Sequence, residues 1–229
     1  MSGYFITGTD TEIGKTFVSS LLIKLLSEDD LSVAGMKPVA SGANIVDGEL
    51  KNDDALLLMQ AANIEVDYKI INPYVFEPAI SPHLAAEQAG IEIDCNIINS
   101  KLEQLKNISD IVIVEGVGGW HAPLTLHTTV ADLAEALNLP IILVVGLRLG
   151  CLNHTLLTAQ AIRQSGLPIA GWIANHIEKD FLVAEQNIST IKHFLNDFPF
   201  LGAIPYQSNK NNLAQVHTKN KQMLINRHS

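Results

Sequence analysis

A chain of 229 residues with 47% hydrophobic content can bury one substantial core, and no linker-like stretch divides it before residue 207. Its net charge of −9 excludes nucleic-acid binding through a general basic surface and leaves local lysines to receive small anions. No apolar run approaches the roughly 18 residues of a membrane span. Two cysteines, Cys95 and Cys151, allow at most one disulfide, and the first residues lack the charged-then-apolar layout of a secretory signal, so a cytoplasmic protein is expected.

In chain order, an apolar strand at 4–6 leads into Thr7, Gly8, Thr9, Asp10, Thr11, Glu12, Ile13, Gly14, Lys15 and Thr16, where a helix at 15–26 begins. A strand that ends in a glycine-bearing loop and turns into a helix aims several backbone N–H groups and the positive end of the helix dipole at one spot, which suits phosphate. In such a loop Lys15 reaches the terminal phosphates and the Thr16 hydroxyl takes a place on Mg²⁺. The spacing is irregular: five residues separate Gly8 from Gly14, where the usual pattern has four. A turn that merely caps the helix is the blander reading.

A second strand at 32–36 ends on Lys37, Pro38, Val39, Ala40, Ser41 and Gly42. Lys37 reads either as a snorkelling lysine or as a second cation beside the phosphate loop, where phosphoryl transfer would need it. A helix at 53–62 carries Asp54 in its first turn, as a cap or as a metal ligand. A helix at 96–105 precedes the strand at 111–114, which ends on Glu115 and Gly116-Val117-Gly118-Gly119. A carboxylate at the end of a buried strand needs a cation, so Glu115 is a candidate Mg²⁺ ligand, with a structural ion pair as the alternative.

A helix at 129–137, a strand at 141–145, a helix at 153–165, a strand at 169–174, a helix at 183–195 and a short run at 201–204 complete the alternation. The pattern predicts an α/β fold in one domain, 1–206, with a mostly parallel sheet flanked by helices on both faces, and a polar, loosely held tail at 207–229. Ligands in such sheets gather beyond the carboxyl ends of the strands, and Lys37, Glu115, Gly146 and Asn175 each follow an apolar run. Gly150, Cys151, Leu152 and Asn153 open a helix that reads as a second anion site or as an Asn-capped start with Cys151 buried.

Taken together, the irregular phosphate loop, Lys37-Pro38-Val39-Ala40-Ser41-Gly42, Asn72-Pro73-Tyr74, Ser81-Pro82-His83, Val114-Glu115-Gly116 with Gly118-Gly119-Trp120, Gly150-Cys151 with Asn153-His154, Gly171-Trp172 with Ala174-Asn175, and Ile204-Pro205 resemble the dethiobiotin synthetases, a P-loop NTPase-like family. The resemblance runs from Tyr4 to Pro205, and the five-residue gap belongs to that family's pattern. It implies an ATP-dependent cyclo-ligase of biotin biosynthesis that joins CO₂ to 7,8-diaminopelargonate, through a carbamate and a carbamic-phosphoric mixed anhydride, releasing ADP and phosphate. It makes Lys37, Lys15 and Thr11 catalytic and places Thr16, Asp54 and Glu115 around Mg²⁺. It assigns ATP to Glu12, Ile13, Gly14, Lys15, Thr16, Phe17, Asp54, Glu115, Gly116, Val117, Gly118, Asn175, His176, Ile204, Pro205 and Tyr206. The substrate falls to Thr11, Lys37, Ser41, Gly150, Cys151, Leu152 and Asn153, the last four from the second subunit of a homodimer. No nucleic acid or membrane partner is implied.

Two other classes share the phosphate loop. A partitioning-type ATPase switch would carry a second lysine early in the loop, where Gly8-Thr9-Asp10 stands, and a small-molecule kinase would need an Arg-rich lid, whereas the chain has Arg148, Arg163 and Arg227. A non-catalytic nucleotide binder would leave Lys37 and Glu115 without a task.

Overall fold

The computed structural model describes residues 2–206 and 224–225. In chain order these form β1 (Ser2–Gly8), α1 (Lys15–Ser27), β2 (Val33–Met36), β3 (Val39–Ser41), β4 (Asn44–Val46), β5 (Glu49–Lys51), α2 (Asp53–Ala61), α3 (Tyr68–Ile71), β6 (Tyr74–Phe76), α4 (Pro82–Ala89), α5 (Cys95–Lys106), β7 (Ile111–Glu115), α6 (Val130–Leu137), β8 (Ile141–Leu147), α7 (Cys151–Ser165), β9 (Ile169–His176), α8 (Ala184–Phe194) and β10 (Phe200–Ile204). Six strands make one parallel sheet in the order β10-β9-β8-β1-β7-β2.

Alternate residues of each strand enter two different cores. Tyr4, Ile6, Ile111, Ile113, Ile142 and Val144 pack beneath α1 and Leu58 of α2. Phe5, Val112, Val114, Leu143 and Val145 pack beneath α5, α6, α7 and α8. Both faces are therefore dry, which is why the strands read as unbroken apolar runs. Leu224 joins the first core, and its carbonyl accepts a hydrogen bond of 2.6 Å from the buried Tyr4 hydroxyl. The expected loose tail otherwise lies outside the described residues.

The topology explains where ligands go. From β1 the chain crosses to the β2 edge and returns through β7 beside β1, and α6 then carries it across to β8 on the far side. The loops after β1 and β8 thus diverge at the carboxyl ends of the strands, the end of such a sheet where ligands gather. The predicted strands and long helices are all present. Three features lie beyond them: the pair β3–β6, the hairpin β4–β5, and the short helices α3 and α4. The helix expected at 153 begins at Cys151, because Gly150 with φ 90° is its N-cap and no side chain caps it. Asn153 therefore sits inside the first turn and is not the cap.

Gly35 marks the tightest packing of an edge strand on its helices. A Cβ there would meet Leu58 Cβ at 2.7 Å and Ile23 Cδ1 at 2.9 Å. Gly35→Ala is expected to destabilise the fold by about 1–3 kcal/mol through overpacking, read as a lower urea midpoint at unchanged slope.

Candidate active site

The loop after β1 is held by atoms of β8 and β9. The Thr9 amide donates to Val144 O at 3.1 Å, and the Ile13 side chain, buried to 1% exposure, fills the space above Gly8 and Gly146. Side chains at those two glycines would collide with it. Asn175 Nδ2 donates to Ile13 O at 2.8 Å, and a Cβ on Gly14, whose φ is 82°, would overlap that same amide. Ile13 thus anchors the loop with its side chain and its carbonyl, and has its backbone N–H left for a ligand. Asn175 is likewise partly engaged, with one amide hydrogen spent on the loop.

Three elements bring charged groups together at the carboxyl end of the sheet, on the β7–β2 side of β1. Lys37 follows β2, Glu115 ends β7, and Asp54 lies in the first turn of α2, where the Asn52 side chain caps the Asp54 amide at 3.0 Å. Lys37 Nζ donates to Glu115 Oε1 at 2.6 Å and to Asp54 Oδ2 at 2.9 Å. Burial by itself would lower the Lys37 ammonium, but the Glu115 and Asp54 charges outweigh it and raise its pKa. Burial would raise Asp54, yet Lys37 keeps its carboxyl below the ordinary value. Lys15 has no such partner: burial, then the Lys37 charge beside it, push it down to about 8. Its ammonium rests on Asp10 O at 2.7 Å.

The Thr16 hydroxyl donates to Glu115 Oε1 at 2.8 Å, while Glu115 Oε2 is buried with no hydrogen-bond partner among the described residues. A hydroxyl beside an orphaned carboxylate oxygen is a donor set that suits a hard cation such as Mg²⁺, which completes its shell with phosphate and water. Thr16, Asp54 and Glu115 are the groups able to hold it, and no cluster of three or more His, Cys, Asp or Glu residues that could hold a metal occurs among the described residues.

These groups line one cleft of about 850 Å³, together with Thr11, Glu12, Gly14, Phe17, Ser41, Val117 and Gly118. Gly118 adopts φ 62° beside Thr11, and the Ser41 hydroxyl is buried without a partner among the described residues. Gly116 supplies a carbonyl 3.4 Å from Lys37 Nζ. Asn175 is aligned with Ile204 across β9 and β10, so His176, Pro205 and Tyr206 gather at the strand ends on the other flank of the loop. Leu57, Ala79, Ile80, Ser81, Pro82, Ala122 and Pro123 also line the cleft. Apart from Ser81 and Pro82, which fall in a quoted motif, they are ordinary loop and helix residues without a pattern to mark them.

Gly150, Cys151, Leu152 and Asn153 do not line this cleft. Cys151 is buried and touched by Asn187 Nδ2 at 3.8 Å, so its thiol belongs to the core. Two contacts join the α7 start to the phosphate loop: Arg148 forms an ion pair with the Asp10 carboxylate, and His154 Nδ1 lies 4.0 Å from the same carboxylate; the sequence names Asp10 and Arg148 but gives no sign that they meet. Both cysteines are free, and no described helix is long and apolar enough to cross a membrane.

Residues 2–213 match the family described as an AAA domain. Over 203 residues the chain is 46% identical to the ATP-dependent dethiobiotin synthetase BioD of Aromatoleum aromaticum, covering 89% of this chain and 90% of that protein. Over 207 residues it is 47% identical to the protein of the same name from Nitrosospira multiformis, covering 90% and 89%. Among solved structures, the MinD cell division protein of Aquifex aeolicus aligns with a TM-score of 0.57 at 15% identity, covering 100% of this chain and 95% of that one. A ParA family ATPase from Chlorobium tepidum TLS aligns with a TM-score of 0.56 at 11% identity, covering 98% and 92%. These two share the fold.

Because Lys15 titrates near 8, it is largely neutral at about pH 8.5, and a polyphosphate placed against it restores its charge. Nucleoside triphosphate binding at about pH 8.5 is expected to take up a fraction of a proton that shrinks toward pH 7. Calorimetry in two buffers of different protonation enthalpy measures it. Zero uptake at the higher pH would show Lys15 already fully charged.

Proposed function

This chain belongs to the ATP-dependent dethiobiotin synthetases, and we propose that its cleft performs their ring closure by gathering two lysines and Mg²⁺ around a carbamate and the γ-phosphate of ATP. The enzyme is an ATP-dependent ligase of biotin biosynthesis. One amine of diaminopelargonate adds to CO₂ and loses a proton to give the carbamate. A carbamate oxygen then takes the γ-phosphoryl group, and the bond to ADP breaks. The second amine attacks the carbonyl carbon, expels phosphate and closes the urea.

Every step gathers negative charge, so the chain's task is to place positive charge where it develops. Backbone N–H groups from Glu12 to Phe17 and the Lys15 ammonium receive the phosphates. Thr11 of the same loop and Ser41 at the end of β3 face the carbamate and diamine, and the Ser41 hydroxyl, without a partner among the described residues, is available to them. Lys37 stabilises the transferring group and the carbamate oxygen. Thr16, Asp54 and Glu115 would hold Mg²⁺, whose contribution when bound is neutralisation of the phosphate oxygens. Gly116, Val117, Gly118, Asn175, His176 and Ile204 through Tyr206 receive the nucleotide. The observation that carries this reading is the position of Lys37: a buried cation outside the phosphate loop, 2.6 Å from the carboxylate that also bonds Thr16.

The helix start at Gly150, Cys151, Leu152 and Asn153 lies outside the cleft of its own chain, so we assign it to the substrate carboxylate of a second subunit in a homodimer, acting through backbone N–H groups because Cys151 faces inward. Exposure of Leu149 at 90% beside that helix start supports a covered surface there. Function in the cytoplasm follows from the same reading.

ATP turnover is expected to require diamine and bicarbonate together, and brisk hydrolysis without diamine would sink the ligase reading. Lys37→Gln should lower kcat by about a thousandfold or more while the KM for ATP stays within about threefold, since its charge is needed mainly in the transition state. Equal losses in both would make Lys37 a nucleotide ligand only.

A further inference from the structure

The motif Asn72-Pro73-Tyr74 does not itself line the cleft, yet it lies behind the catalytic lysine. β2 is the edge strand of the sheet, so the peptide of Lys37 at its end has no outer strand to hold it. Residues at the end of α3 take that place. The Lys37 amide donates to Ile71 O at 2.9 Å, and Lys37 O accepts from Asn72 Nδ2 at 2.6 Å. The same Nδ2 donates to Tyr74 O at 3.1 Å, and Asn72 is 2% exposed.

The other end of Asn72 leads to the second carboxylate. Asn72 Oδ1 accepts from the Tyr68 hydroxyl at 2.7 Å, and that hydroxyl accepts from the Asn52 amide at 2.8 Å. Asn52 is the N-cap of α2, holding the Asp54 amide with its side-chain oxygen and donating from Nδ2 to Ser41 O at 3.2 Å. One partly buried chain of hydrogen bonds therefore joins the backbones of Lys37, Ser41 and Asp54, whose side chains meet in the cleft. Each link is satisfied at both ends, which makes the chain stiff and makes loss of any member leave a buried polar group unpaired.

We infer that Tyr68 and Asn72 are positioning residues that set the separation of Lys37 from Asp54 and Ser41, and so place the catalytic ammonium against the transferring phosphoryl group. The inference rests on the role given to Lys37 above. Neither residue lines the cleft, so each acts through backbone placement, and a displacement of an ångström at a reacting group costs about a hundredfold in rate.

Tyr68→Phe keeps the ring and removes the hydroxyl, and Asn72→Asp keeps an acceptor toward Tyr68 but sets an acceptor against Lys37 O. Steady-state kinetics with ATP, bicarbonate and diamine should show kcat lowered about 10- to 100-fold in each, more in Asn72→Asp, with the KM for ATP within about twofold. In a Lys37→Gln background the Tyr68 change should add nothing, because the group it positions is gone. A Tyr68→Phe enzyme with wild-type kcat, a loss shared equally by kcat and ATP binding, or a full additional loss on top of Lys37→Gln would overturn the inference. Lys37→Gln inactive beside a fully active Tyr68→Phe would leave the role of Lys37 standing and remove this one, whereas an active Lys37→Gln would remove both.

Discussion

The site is organised around a single ammonium group. Lys37 Nζ lies between Glu115 and Asp54 with its side chain 4% exposed, and a cation so far from water is tolerated because two carboxylates and a carbonyl surround it. Removing one partner from such a group typically costs about 3–5 kcal/mol, since the remaining charge is left buried. The requirement constrains three elements at once: the end of β2, the end of β7 and the first turn of α2 must converge. It also sets Lys15 and Lys37 against Glu12, Asp54 and Glu115 in the cleft lining. Lys15, second in line for those carboxylates, is the one whose proton is loosened.

The phosphate loop is shaped by packing as much as by charge. Its extra residue does not lengthen an exposed turn, because Ile13 turns inward and fills the space above Gly8 and Gly146. The bond from Asn175 to Ile13 O and the pair between Asp10 and Arg148 then fasten the loop to β9 and to the start of α7. Such a loop presents its N–H groups with little reorganisation, which is the condition under which fixed dipoles serve a transition state. Neighbours that share the fold at 11% to 15% identity, such as MinD and the ParA ATPase, share the sheet. The second lysine, the carboxylates and the support behind them are what this chain builds on it.

The parallel sheet was legible because burial on both faces leaves an unmistakable pattern at 4–6, 111–114 and 141–145, and the residues that interrupt it, Lys37, Glu115 and Asn175, are those the structure sets at the strand ends. The smaller elements escaped for different reasons. The β4–β5 hairpin turns at Asp47 and Gly48 with φ of 53° and 79°, a signal for a tight turn, but its strands are three residues long. Helix α4 is framed by Pro82 at its first position and by Gly90 after its last, marks that outweigh its weak apolar pattern. Helix α7 starts two residues ahead of its apolar pattern at 153–165, because Gly150 caps it by conformation, which leaves no side-chain signature. Contacts such as Asn175 with Ile13, or Tyr68 with Asn52 and Asn72, depend on distant segments meeting, and no local spacing encodes them.

The most direct measurement concerns the fate of oxygen. If the cleft passes the γ-phosphoryl group to a carbamate, the bond that later breaks lies between carbon and a carbamate oxygen. Phosphate released in a single turnover with ¹⁸O-labelled bicarbonate and diamine should then carry one labelled oxygen, seen by mass spectrometry. Phosphate free of label would contradict transfer to the carbamate and reduce the cleft to a nucleotide hydrolase with a bystander substrate.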